Sequence, residues 1–133
     1  MKKNTLSFSL FMAVLVVTGL GSCASTKAAD SLDWVGTYTG TIPAASAEGI
    51  NVRLRLSNDQ TYTIRYEYVG RPEGNSESTG SFKWDKTRSI ITLDSNDLPP
   101  YYKVGANTLT QLDMSGKVIT GEWADMYILK KQP

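Results

Sequence analysis

Asn51-Val52-Arg53-Leu54-Arg55-Leu56-Ser57 alternates polar and apolar residues without a slip. A period of two places every second side chain on one face of an extended strand, so this stretch buries one face and wets the other. A helix would scatter the same residues around its axis. Thr61-Tyr62-Thr63-Ile64-Arg65-Tyr66-Glu67-Tyr68 repeats the pattern with aromatics, and Ser57-Asn58-Asp59-Gln60 between them carries the turn residues of a hairpin. The period stays at two from Trp34 onward. Besides 51–57 and 61–68, it predicts strands at about 34–42, 78–84, 89–94, 100–104, 107–112 and 125–130, with hairpin-length links and no helix.

The fold class is therefore all-β: a small antiparallel eight-stranded meander. Such a meander can close into a barrel and abolish its edges. Its interior would be just wide enough to be filled by side chains or to hold one small ligand. Trp34, Tyr62, Tyr66, Tyr68, Trp84 and Tyr101 supply bulky groups to fill it. An open two-sheet sandwich takes the same strands, and the pattern leaves both architectures open.

The first stretch is of another kind. Lys2 and Lys3 precede an apolar run from Leu6 to Leu20, too short to span a bilayer but of signal-peptide form. Leu20-Gly21-Ser22-Cys23 resembles the bacterial lipobox, in which the Cys thiol receives diacylglycerol and becomes the first residue after cleavage. The chain's one Cys falls where a lipobox needs it. The expected organisation is a lipoprotein signal peptide over 1–22, acylated Cys23 and a small polar tether over 23–32, and a β-domain over 33–133. Two or more acyl chains anchor stably. Residue 24 is Ala rather than the Asp that retains many lipoproteins at the inner membrane, which points to the outer membrane. No acidic run follows Cys23, so the domain is expected to face the periplasm.

Composition narrows the chemistry. There is no His, which removes the commonest general base and the commonest metal ligand together. One Cys excludes an intramolecular disulfide and a thiolate cluster. A formal charge of +1 supplies no field to gather nucleic acid. Ser and Thr are plentiful but lack a base to activate them. Asp59, Asp85, Asp94, Asp97 and Asp113 fall in turns, where carboxylates ordinarily bond local backbone. Glu67 shares an outer register with Arg53, Arg55 and Arg65, which cross-strand pairing explains without catalysis. The expectation is a protein that is not an enzyme and carries no cofactor. Met114 and Met126 offer thioethers to a soft metal, but a loop contact and a core filler are their more ordinary roles, so no metal site is expected. Trp34, Tyr38, Tyr62 and Tyr66 are candidates to line a ligand pocket or partner surface, although such aromatic density more ordinarily packs the barrel's own interior. The stiff loop Leu98-Pro99-Pro100-Tyr101-Tyr102 is a further candidate contact surface, or equally a stiff entry into a strand with its Tyr rings folded back on the barrel rim.

Several segments together carry a family resemblance. They are Trp34-Val35-Gly36-Thr37-Tyr38-Thr39-Gly40-Thr41-Ile42-Pro43, Glu48-Gly49-Ile50, Tyr102-Lys103-Val104-Gly105, Leu109-Thr110-Gln111-Leu112-Asp113, Gly116-Lys117-Val118-Ile119-Thr120-Gly121 and Tyr127-Ile128-Leu129. In this order they resemble the N-terminal domain of the NlpE family of copper-resistance and envelope-stress lipoproteins, over roughly 33–131. The resemblance implies a lipocalin-like β-barrel tethered to the outer membrane, reporting envelope stress to a signalling or trafficking protein. The family's Cys-x-x-Cys after the first strand is absent here, where Ala44 and Ala47 stand at its positions. Alanine can neither bind a soft metal nor form a disulfide, so the copper and redox role does not carry over. The family's second, oligonucleotide-binding-like domain has no counterpart in this sequence. The alternative is a lipocalin-like binder of a small apolar ligand.

Overall fold

A computed structural model describes residues 32–96 and 98–133. Eight strands form one closed barrel: β1 (Gly36–Ile42), β2 (Ile50–Leu56), β3 (Thr61–Tyr68), β4 (Ser76–Trp84), β5 (Ile90–Leu93), β6 (Tyr101–Gly105), β7 (Thr108–Gln111) and β8 (Ile128–Lys131). Each pairs antiparallel with its chain neighbour, and β8 returns to β1 through Tyr38 opposite Lys131 and Thr39 opposite Lys130. That closure decides for the barrel over the sandwich. The expected signal peptide, Cys23 and most of the expected tether, all of residues 1–31, lie outside the described residues.

The alternation drives the closure. Val52, Leu54 and Leu56 on β2 are 0–2% exposed, while Asn51, Arg53 and Arg55 between them face solvent. In register, Leu54 lies between Tyr38 on β1 and Ile64 on β3, and all three are fully buried. The opposite wall contributes Ile91, Tyr102, Val104, Leu109 and Leu129 to the same core. Gly40 lets the seam shut: a Cβ there would come within 2.8 Å of the Leu129 side chain and 3.1 Å of the Ile128 carbonyl.

The strand bounds follow the sequence pattern to within about two residues except at the last. The 3-10 turn Ala124–Tyr127 occupies the start of the expected 125–130 strand, so β8 begins at Ile128. A second 3-10 turn, Pro72–Gly74, has Pro at its start, where the missing N–H costs nothing. Both correct the expectation of no helix, and the link from β7 to β8 is far longer than a hairpin. Its first part folds back locally, with Leu112 bridged to Val118.

In a closed antiparallel meander alternate links lie at opposite ends. The short turns 57–60, 85–89 and 106–107 share one end with residues 32–35. The longer links 43–49, 69–75, 94–100 and 112–127 crowd the other. At the near end Trp34 joins Phe82 and Trp84 in an edge-to-face trio, with centroids 5.3–6.0 Å apart. Arg88 stacks 5.1 Å over the Trp84 ring. Lys131 clamps the incoming chain through the Asp33 carbonyl at 2.7 Å and its carboxylate at 3.2 Å.

Candidate functional site

The tyrosines expected to line a pocket or partner surface fill the barrel instead. Tyr38 and Tyr102 are 0% exposed, and Tyr62 and Tyr66 are 3% and 4%. In the loop 98–102 Tyr102 turns inward, while Leu98 and Tyr101 stay half-buried. Tyr102 is an inward residue of β6, because alternation from Val104 carries it into the core, and Tyr101 takes the outward register. The Pro100 carbonyl accepts the Leu93 N–H at 2.9 Å, so this segment extends the β5–β6 ladder. Pro99 and Pro100 are half-buried, and Trp34 is taken up by the near-end ring trio. Of the residues expected to fill the interior, Tyr62 and Tyr66 do so. Trp34, Tyr68 and Trp84 pack half-buried against the core, while Tyr101 lies outside it.

Two features remain on the surface. At the far rim an open concavity of about 420 Å³ lies between the links 43–49 and 112–127. Pro43, Ala44, Ile119, Trp123, Met126 and Tyr127 line it. Trp123 is 60% exposed, an unusual placement for so large an apolar ring. Ala44 lies in this concavity, and Ala47 is half-buried in the same link. Met126 is at the rim, and Met114 is 69% exposed in a turn, so neither is a core filler. Among the described residues no three His, Cys, Asp or Glu side chains gather as a metal would require. The sequence reasoning missed Trp123. Its signal was faint: one Trp after Gly121-Glu122, in a stretch without alternation.

The second feature is on the barrel's flank. Two shallow concavities, about 360 and 210 Å³, lie over β1–β4, and Arg53 and Arg65 line both. Arg53 is directly opposite Arg65, and Arg55 is one outward position along β2. The expected cross-strand pairing to Glu67 is made within one strand instead, Arg65 Nε to Glu67 Oε1 at 2.9 Å.

The described carboxylates of the turns bond local groups as the sequence suggests, except Asp94, whose partners Tyr62 and Ser81 are distant in the chain. The Asp85 carboxylate accepts from the Thr87 hydroxyl and from the Ser89 and Ile90 N–H groups at 2.7–3.1 Å. Asp94 accepts the Tyr62 hydroxyl at 2.8 Å and the Ser81 N–H at 3.1 Å. Asp97 lies outside the described residues.

These contacts set the pH dependence of stability. The Ser81 N–H, then the Tyr62 hydroxyl, hold the Asp94 carboxyl below its usual value. The Thr61 hydroxyl does the same for Asp59, and the Lys117 N–H for Asp113. Their stabilisation is present above the unfolded carboxyl value, about 3.9, and is lost as pH falls through the lower folded values. The Tyr62 phenol is pushed up to about 12 by burial and then by its bond to Asp94. Tyr38 is pushed up to about 12 by burial and then by the charge of Asp33. That contribution is intact below the unfolded phenol value near 10 and is lost as pH rises through 12. With no His to titrate between, the urea midpoint should be flat from about pH 5 to 9 and fall on either side. A step between about pH 5 and 8 would contradict this account.

Comparison with known proteins gives concordant matches. The family model of the NlpE N-terminal domain matches residues 38–122. Lipoprotein NlpE of Escherichia coli strain K12 is 30% identical over 87 residues, which are 65% of this chain and 37% of that protein. The chain thus spans little more than a third of that relative's length. The crystal structure of a candidate lipoprotein from Shewanella oneidensis superposes with a TM-score of 0.71 at 41% identity, covering 77% of this chain and 93% of that one. The crystal structure of the Escherichia coli Cpx pathway activator NlpE superposes with a TM-score of 0.53 at 25% identity, covering 65% of this chain and 46% of that one.

Proposed function

The chain belongs to the NlpE N-terminal domain family, and on that premise we propose that it is an outer-membrane lipoprotein facing the periplasm, serving as an interaction module in envelope-stress or surface sensing. The observation that carries this reading is where the space lies. The barrel interior is occupied by its own tyrosines and aliphatics, and the large apolar concavity is on the far rim, around exposed Trp123. An exposed Trp beside a shallow apolar hollow suits a side chain of a partner protein better than an enclosed ligand. Residues 32–35 enter the barrel at the opposite end, so a lipid on Cys23 would leave this rim free for a partner. Ala44 stands in the hollow where the family places a cysteine, so we infer that contact persists without copper or redox chemistry.

The alternative, a binder of a small apolar ligand, draws on the same hollow. Native mass spectrometry separates the two, because a ligand would add a reproducible mass to the bare chain.

Replacing Cys23 with Ala should leave an uncleaved precursor and abolish acyl labelling; unchanged processing would overturn the lipoprotein reading. For the interaction itself, the acylated protein is crosslinked in stressed and unstressed cells and recovered. One envelope protein should be enriched under stress and lost with Trp123→Ala. No enrichment, together with no stress-gene response on overproduction, would overturn the sensing reading.

A further inference from the structure

The flank over β1–β4 has a charge arrangement that stability alone does not account for. One outward row crosses five strands: Lys130, Thr39, Arg53, Arg65 and Glu77. Within it Arg53 and Arg65 are direct cross-strand neighbours, and like charges at that separation destabilise a sheet. Glu67 takes one guanidinium, that of Arg65. Arg53 lines both concavities and Arg55 the smaller one, with the hydroxyl-bearing Thr39 and Thr63 on either side and one carboxylate in each, Glu67 and Glu77. Guanidinium forks flanked by hydroxyl donors match the oxygens of a phosphate.

Position supports the charge. Arg55 is opposite Thr37, close to where the chain enters β1, and the Lys131–Asp33 clamp fixes that point beside the same flank. A tether over 23–32 reaches at most about 35 Å when extended, so an anchored barrel could lie with this flank on the bilayer.

We propose that the flank bearing Arg53, Arg55 and Arg65 is a docking surface for the anionic phospholipid headgroups of the membrane that anchors the chain. This rests on the lipoprotein reading above. The contact would hold the barrel against the leaflet in a defined pose, and the far rim with Trp123 would then point along or away from the membrane.

All eight strands of the closed barrel lie between Gly36 and Lys131, so the unacylated chain from residue 24 is the form to test. It is sedimented with phosphatidylcholine vesicles with and without about 30% phosphatidylglycerol, at low and high salt. The chain should bind the anionic vesicles at low salt, release at high salt and ignore the neutral ones. Each of Arg53→Gln, Arg55→Gln and Arg65→Gln should weaken binding about fivefold, and the triple variant by about a hundredfold. Lys83→Gln/Lys86→Gln/Lys103→Gln removes equal charge from exposed positions elsewhere and should weaken it less than about threefold. Equal losses in the two triple variants would overturn the proposal, as would failure of the wild-type chain to prefer anionic vesicles. Acyl labelling of Cys23 is scored separately, so loss of vesicle binding with labelling intact counts against the docking face alone.

Discussion

Leu54→Ala should lower the unfolding free energy by about 3–5 kcal/mol and the melting temperature by roughly 15–25 °C. Leu54 is at the middle of β2, fully buried between Tyr38 and Ile64, and no neighbouring loop can collapse into the space it would leave. The loss combines the transfer of the missing methylene and methyl groups with the cavity left behind. Against a domain stability of about 5–15 kcal/mol, it removes a large share. Arg53→Ala and Arg55→Ala, one residue away on each side, should each change the unfolding free energy by less than about 0.5 kcal/mol. Urea unfolding of the three variants measures the alternation directly. Comparable losses at all three positions would mean that β2 does not present one face to the core.

Gly80→Val should be the second severe change, with a loss of about 3–5 kcal/mol or failure to fold. Gly80 is on the inward register of β4, opposite Tyr62. A Cβ there would fall on the Asp94 carboxylate and within 2.9 Å of the Tyr62 ring. The Tyr62 hydroxyl and the Ser81 N–H both converge on that carboxylate, so the intruding side chain displaces it from two donors at once. Tyrosine absorbance gives a second readout: with the Asp94 bond broken, the Tyr62 phenol should ionise at lower pH than in the wild-type chain. Unchanged stability with an unchanged phenol titration would contradict this geometry.

The two positions differ in how far the sequence exposed them. Leu54 was legible because alternation names the buried face of a strand without any knowledge of its partners. Tyr102 was not, because the expected strand 100–104 overlaps the stiff loop 98–102, and only pairing with β5 and β7 shows which face Tyr102 takes. Gly80 carries no periodic signal at all, since its role is to leave room for a side chain from β5's far end. The same limit applies to the rim: Pro43, Ala44 and Trp123 are separated by a whole turn of the barrel in sequence and meet only because β8 returns beside β1. Closure itself could not be read from the pattern, since a sandwich uses identical strands. The arginines of β2 and β3 were visible as outward residues, but their like-charge opposition depends on a register fixed by the four-residue turn between them.

The seam between β1 and β8 also has a meaning in time. Tyr38 and Thr39 must find Lys130 and Lys131 across almost the whole domain, so closure is the least local event in assembly. Until the last strand docks, β1 exposes an unpaired edge, the feature that in other sheets recruits foreign strands. During synthesis the chain emerges from its N-terminus, and β8 is the last strand to arrive. The barrel thus spends its vulnerable interval as an open ribbon, and chaperoning is needed most just before Ile128–Lys131 is delivered.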